Sequence, residues 1–235
     1  TLKDLQGYLG TTNYVRPHAG PTYAKVMHPL RALLKTDAVF PPNEEQLAAI
    51  EAMKKLVLHP QHATLGAKMG AFAGFDMPLT YKGVKAEHLC VREHVGVFDV
   101  SHMGEFMVTG DTALELLQYT TSNNVAALAV GEAQYGYMPN DTGGVVDDLL
   151  IYRLEENRYM LVVNASNIDK DWNWFSEQNK DFGATLTNAS ADFALLAVQG
   201  PKAHALIQEV SGIDTAAQKG FTVVQNTVAG VPDVL

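Results

Sequence analysis

Between Val145 and Val163 the chain shows the alternation of apolar and polar positions that a β-hairpin requires. Val145 to Leu154 is rich in β-forming residues, the polar run EENR follows, and Tyr159 to Val163 is again apolar. The segment opens with DTGG, where glycine adopts positive φ at no steric cost and so favours a turn. The pattern predicts a turn followed by two antiparallel strands.

The first predicted strand carries two adjacent aspartates. Successive side chains on a strand point to opposite faces of the sheet. Asp148 therefore shares a face with Leu150 and Tyr152, whereas Asp147 lies on the other face. A carboxylate among apolar and aromatic side chains is energetically costly unless a partner pairs with it. We therefore expect a ligand near Asp148.

Helical and strand patterns are unevenly distributed over the rest of the chain. Residues 1–60 place apolar side chains at helical spacing between prolines, which predicts a small helical unit. Residues 61–235 intersperse short strands with helices, one of them capped by Asp111. The second region is therefore predicted to be an α+β domain, with a mixed, largely antiparallel sheet and flanking helices.

Composition and charge also change at this boundary. The 235 residues are 47% hydrophobic and 18% charged, which is typical of a globular protein. The net charge is −9, of which residues 1–60 carry +2 and residues 61–235 carry −11. An acidic domain matches nucleic-acid phosphates poorly, so nucleic-acid binding is disfavoured there. No apolar run approaches the roughly 20 residues of a membrane span, and we predict no membrane association.

Three other features carry little chemistry. Cys90 is the only cysteine, which favours a reducing compartment. The segment HPQH at residues 59–62 is predicted to be a turn without a carboxylate or cysteine neighbour, so we predict no metal site. Asp99, Ser101 and His102 are close in sequence, but such neighbours rarely form a nucleophilic triad and no GxSxG motif is present.

A series of distinctive motifs follows in order from about His62 to Leu235. They are GAKMGAFAGFDMPLTY, VGVFDVSHMGEF, AQYGYMPNDTGGVVDDLLIY, MLVVNASNIDKDWNW, LLAVQGPKA and TVAGVP. Together they resemble the glycine cleavage system T protein family, whose members are tetrahydrofolate-dependent aminomethyltransferases. Family members take the aminomethyl group from the lipoyl arm of H protein, release ammonia and pass the one-carbon unit to tetrahydrofolate.

The resemblance implies a folate site around the same hairpin. Asp148, the second aspartate of GGVVDDL, is implied to be catalytic, to bind the attacking folate nitrogen and to help manage its proton. The other residues implied to bind the folate are Tyr135 and Asn164 in the pterin pocket, Met103 as an apolar wall, and Leu150 and Tyr152 beside the ring. Core packing is the alternative for the apolar residues, and a buried structural carboxylate is the alternative for Asp148.

The resemblance also implies partners and a location. The expected co-substrate is tetrahydrofolate, and the expected protein partner is lipoylated H protein. The expected location is the bacterial cytoplasm, or the mitochondrial matrix in a eukaryote. The family continues beyond the GVP strand into an RTGYTGE-type segment and a further domain that this sequence lacks, so we expect an incomplete folate pocket and impaired activity.

Residues 1–58 have a different resemblance. The stretches LQGYLGTTNYVRPHAG, YAKVMHPLRALLK and EEQLAAIEAMKKLVL resemble the thumb and connection segment of a retroelement reverse transcriptase. In that family the segment grips template and primer. Two alternatives to the transferase therefore stay open: a nucleic-acid-binding remnant that acts through residues 1–58, and a chimeric globular protein with no activity.

Overall fold

The computed structural model describes residues 59–235. The helical unit predicted over residues 1–60 therefore falls almost wholly outside the described residues, as does the reverse-transcriptase-like segment. The described elements, in chain order, are α1 (His59–Thr64), β1 (Lys68–Phe72), β2 (Phe75–Thr80), α2 (Val84–Glu93), β3 (Gly96–Asp99), β4 (Gly104–Thr109), α3 (Ala113–Thr120), β5 (Glu132–Pro139), β6 (Val145–Glu155), β7 (Arg158–Val163), α4 (Ile168–Gln178), β8 (Thr185–Asn188), β9 (Leu196–Gln199), α5 (Ala203–Ser211), β10 (Asn226–Val228) and β11 (Val231–Val234).

A five-stranded sheet organises the domain, with the strand order β5-β6-β7-β4-β8. All four junctions are antiparallel. The predicted hairpin is confirmed as β6 and β7, with Glu155 opposite Arg158 at its turn. Three two-stranded antiparallel sheets, β1-β2, β3-β9 and β10-β11, complete the described part. The predicted α+β class with largely antiparallel pairing is confirmed.

Helices α3 and α4 pack on one face of the five-stranded sheet. Phe106 of β4 lies edge-on to Trp172 of α4, with ring centroids 5.1 Å apart. The residues of this core with 0% exposure are Val108, Ala113, Leu116, Leu117, Val125, Met138, Ile151, Tyr159, Leu161 and Val163, and Phe106 and Phe175 are each 1% exposed. Along β6 the odd-numbered residues Leu149 and Ile151 belong to this core.

A glycine allows α4 to approach the sheet closely. A Cβ atom on Gly104 would lie 2.7 Å from Cγ1 of Ile168 in the first turn of α4 and 2.8 Å from Cγ2 of Val163. Real Cβ atoms do not make such short contacts, so a side chain here would force the Ile168 and Val163 side chains out of their present packing. The first turn of α4 is thereby held against the end of β4 and β7.

Two local predictions were wrong. Asp111 does not cap α3; the N-cap position is Thr112, and the Asp111 carboxylate instead accepts a hydrogen bond from Asn157 Nδ2 at 3.2 Å. Residues 59–62, predicted to be a turn, form most of the short helix α1, since proline is tolerated in the first turn of a helix. Within residues 59–235 no helix is both long and apolar enough to cross a bilayer.

Candidate active site

Most of the predicted site residues lie on the sheet face opposite helices α3 and α4. Directly opposite residues of an antiparallel pair share a face. Tyr135 of β5 lies opposite Leu150 of β6. Leu150 in turn lies opposite Val162 of β7, and Val162 lies opposite Glu105 of β4. One row of side chains therefore runs across four strands on this face.

Asp148 stands at the end of this face and is held by two donors. The Tyr135 hydroxyl donates a hydrogen bond to Asp148 Oδ2. Asn164 is the residue after the end of β7, and its Nδ2 donates to Asp148 Oδ1 at 2.8 Å. Tyr135 and Asn164 come from the strands on either side of β6. The carboxylate is therefore oriented from both neighbouring strands.

These contacts set the charge of Asp148. The hydrogen bond from Tyr135, followed by the one from Asn164, lowers the pKa of Asp148, although partial burial acts in the opposite direction. The same bond to Asp148 raises the pKa of the Tyr135 hydroxyl. Asp148 is thus an ionised acceptor at neutral pH, and Tyr135 is a neutral donor. Such a carboxylate is suited to receive an N–H group and orient it.

The structure brings most of the predicted folate-binding residues together. Tyr135 and Asn164 each donate a hydrogen bond to Asp148. Leu150 and Tyr152 are half-buried on the same face of β6, and Tyr152 lies one row further along, opposite Ala133. Met103 immediately precedes Gly104, which pairs with Val163, so Met103 and Asn164 flank the sheet at the same end.

A second layer of polar side chains lies behind Asp148. Asp147 Oδ1 accepts from Asn164 Nδ2 at 3.1 Å, and its Oδ2 accepts from Asn167 Nδ2 at 2.8 Å. Asn164 therefore bridges the two aspartates. Asp171, in the first turn of α4, is 0% exposed. Burial, followed by the neighbouring Asp147 carboxyl, raises the pKa of Asp171 to about 8.

Sequence reasoning missed two buried acids at this site. Glu105 is 2% exposed, and burial raises its pKa to about 7. The sheet face on which Glu105 lies could have been predicted from the sequence, because successive residues of β4 alternate between faces and Glu105 directly precedes the core residue Phe106. Asp171 was also readable, because it lies four residues before the core residue Phe175 and so shares its helix face. Val162, in the centre of the row, was missed as well.

A separate cluster involves a histidine that the sequence analysis set aside. His62 Nε2 lies 2.7 Å from Asp99 Oδ2, and His62 Nδ1 lies 2.7 Å from the Tyr81 hydroxyl. The segment HPQH therefore does have a carboxylate neighbour, 37 residues away in sequence. Ser101 Oγ accepts from the Leu195 backbone N–H at 3.0 Å. His62 thus pairs directly with Asp99, and the Asp99 carboxylate also acts electrostatically on His102.

Comparison with known proteins places these features in a family context. Residues 58–235 match the family model of the GCVT N-terminal domain. The chain is 52% identical over 182 residues to an aminomethyltransferase of Flavobacterium psychrophilum, an alignment that covers 77% of this chain and 50% of that protein. It is 54% identical over 168 residues to an aminomethyltransferase of Deinococcus deserti, which covers 72% of this chain and 47% of that protein.

A solved structure shows the same fold. It is the glycine cleavage system aminomethyltransferase T from Bartonella henselae, which is similar to this chain with a TM-score of 0.63 and 39% identity. The match covers 70% of this chain and 45% of that one. The chain spans about half the length of the curated relatives that it matches.

Proposed function

The chain belongs to the family of the GCVT N-terminal domain, and from this we propose that it carries the folate-facing wall of a glycine cleavage system aminomethyltransferase. The proposed reaction transfers the one-carbon unit of a lipoyl-bound aminomethyl group to tetrahydrofolate, with release of ammonia. Tetrahydrofolate is the co-substrate, and lipoylated H protein is the proposed donor. The proposed location is the bacterial cytoplasm or the mitochondrial matrix.

The observation that carries this proposal is the ionised Asp148 carboxylate beside an exposed aromatic ring. Tyr135 is 55% exposed although it is a large aromatic residue on a sheet face. Leu150, its cross-strand neighbour, is half-buried and lies outside the core cluster of β6. A flat, polar-edged ring could lie against these two side chains while its N–H group reaches Asp148. That arrangement supports a pterin better than it supports ordinary core packing.

The proposed chemistry uses Asp148 as an acceptor. One folate amine forms a C–N bond to the methylene carbon as the bond from that carbon to ammonia breaks. A second folate amine forms another C–N bond to the same carbon as the C–S bond breaks, so the carbon becomes a methylene bridge and the lipoyl arm leaves as the dihydrolipoyl thiol. The attacking amine must present its lone pair to the carbon and later lose a proton. A carboxylate that accepts the N–H hydrogen bond orients the lone pair and assists the proton transfer. The low pKa of Asp148 keeps it unprotonated between turnovers.

The test is a calorimetric titration of the whole chain with (6S)-tetrahydrofolate under anaerobic conditions. Binding is the readout because the chain spans only half the length of its relatives. We expect saturable binding to the wild-type chain and a loss of affinity of about 10-fold to 100-fold in Asp148→Asn, since a hydrogen bond to a charged group is lost.

The matched control is Asp141→Asn, which removes the same charge from the exposed turn before β6. We expect this variant to bind tetrahydrofolate like the wild type. The proposal is wrong if the wild-type chain binds no tetrahydrofolate at high micromolar concentration. It is equally wrong if Asp148→Asn and Asp141→Asn bind alike.

A further inference from the structure

Asp171 lies behind the proposed site, and the chemistry above does not use it. Its side chain is 0% exposed, and neither carboxyl oxygen receives a hydrogen bond from any donor in the described part of the chain. A buried carboxylate without donors is very costly. A carboxylic acid is not, because it carries its own donor. The surroundings of Asp171 therefore favour the acid form.

The charged groups that face Asp171 agree with this. Asp147 and Asp148, both on β6, raise the pKa of Asp171, and the effect of Asp147 is the larger. Lys170, on the same helix, is the facing cation, but its Nζ lies 3.9 Å from Asp171 Oδ1 and donates to the Val146 carbonyl at 2.6 Å. The balance keeps Asp171 protonated at neutral pH, with a pKa of about 8.

The protonated acid adjoins a chain of hydrogen bonds that ends at the site. Asp147 takes its two amide donors from Asn164 and Asn167, and each of its oxygens retains a further lone pair. Asn164 donates through the same Nδ2 to Asp148 Oδ1 at 2.8 Å. The orientation of the Asn164 amide therefore depends on Asp147 as well as on Asp148.

We propose that Asp171 is a positioning residue, which shares its proton with Asp147 and thereby holds Asn164 against Asp148. Asp171 does not touch the folate. It stays uncharged beside Asp147 and locks the amide that orients the Asp148 carboxylate. The effect on folate binding rests on the function proposed above, whereas the shared proton and the locked amide are properties of the ligand-free chain.

The first test uses the ligand-free chain, so that it does not depend on the proposed function. Carboxyl ¹³C NMR titrations compare the wild type with Asp171→Asn, which keeps a donor but cannot ionise, and with Asp171→Ala, which has no donor. We expect one aspartate of the wild type to titrate near pH 8 and this transition to vanish in both variants. The Asn164 side-chain amide signals should stay in place in Asp171→Asn and shift in Asp171→Ala.

The proposal is overturned if no aspartate of the wild type titrates above pH 6. It is also overturned if the Asn164 amide responds alike to both substitutions, or to neither. Glu177→Gln is the matched control, because it removes an acid from an exposed position on the same helix. If Asp171→Ala does not fold, the titration of the wild type against Asp171→Asn still decides the question.

The second test measures tetrahydrofolate affinity from pH 6.5 to 9. Above pH 8 the wild-type affinity should fall as Asp171 ionises, whereas Asp171→Asn should show no further fall there, because Glu105, with a pKa of about 7, ionises at lower pH in both chains. Asp171→Ala should bind about tenfold more weakly than the wild type at pH 7. An identical pH profile for wild type and Asp171→Asn contradicts the positioning role. Absent binding in every chain refutes the proposed function alone, and the ligand-free titration then decides this inference.

Discussion

The two faces of β6 serve different purposes although their residues alternate along one strand. Leu149 and Ile151 point into the helix-covered core and are 2% and 0% exposed. Leu150 and Tyr152, their direct neighbours, are half-buried on the face that carries Asp148. The first set stabilises the fold through burial, and the second set is free to contact a ligand. The difference shows that a single strand can separate stability from chemistry by residue parity alone.

The largest expected effect is a loss of stability when a residue on the core face of β6 is truncated. Ile151→Ala should lower the free energy of unfolding by about 4 kcal/mol, because it leaves a cavity in a closely packed core. Leu150→Ala, one residue away, should cost well under half of that amount but should weaken tetrahydrofolate binding. Urea denaturation followed by circular dichroism measures the first quantity, and calorimetry measures the second. Equal losses of stability in the two variants would refute the division between the faces.

The second prediction concerns the buried acid on the site face. Burial raises the pKa of Glu105 from 4.5 to about 7, so the folded chain holds a proton that the unfolded chain releases between these values. The free energy of unfolding therefore falls as the pH rises from 4.5 to 7, by up to about 3 kcal/mol from this group. Glu105→Gln should remove that part of the pH dependence.

Urea denaturation at pH 5 and at pH 8 gives the change in the free energy of unfolding between these pH values. The effect is the difference in that change between the wild type and Glu105→Gln. Glu156→Gln, in the exposed turn between β6 and β7, is the control and should keep the wild-type change. Asp171 contributes to the change in all three chains and cancels in the comparison. A Glu105→Gln chain whose stability changes with pH as much as that of the wild type would show that Glu105 is charged in the folded state.

The smallest expected effect comes from removing the Tyr135 hydroxyl, which donates to Asp148 on the site face of the sheet. Tyr135→Phe removes the first donor to Asp148 and leaves the ring in place, so the pKa of Asp148 should rise toward its ordinary value. Tetrahydrofolate affinity should fall about fivefold, less than in Asp148→Asn, because Asn164 still orients the carboxylate. Tyr137→Phe, on the same strand, is the control. An unchanged NMR titration of Asp148 in Tyr135→Phe would count against the assigned hydrogen bond.

Local pattern was enough to predict the hairpin and the face of β6 on which Asp148 lies. The alternation along β6 separates Asp148 from Asp147, and the turn residues on both sides of β6 mark the hairpin. What local pattern lacks is register between distant strands. The row that joins Glu105 to Val162 depends on pairing between β4 and β7, which are far apart in the chain. The contact of His62 with Asp99 spans 37 residues and was missed for the same reason.

The buried acids were missed for another reason. Asp and Glu are almost never fully buried without a partner, so they are read as surface residues by default. Asp171 and Glu105 are exceptions to that rule: Asp171 lies on the side of α4 that faces the sheet, and Glu105 lies on the sheet face opposite the helices. Asp111 shows the opposite error, because a good capping residue next to a helix start was taken to be the cap although Asn157 competes for its carboxylate.

The packing of α4 against Phe106 has a spectroscopic consequence. The chain contains two tryptophans, and both Trp172 and Trp174 lie on α4, directly after Asp171. Trp172 stacks edge-on against Phe106, and the Trp174 indole N–H is buried. The tryptophan fluorescence of the whole molecule therefore arises from one helix, within three residues of Asp171. A pH titration of that fluorescence probes the surroundings of Asp171 without an added label.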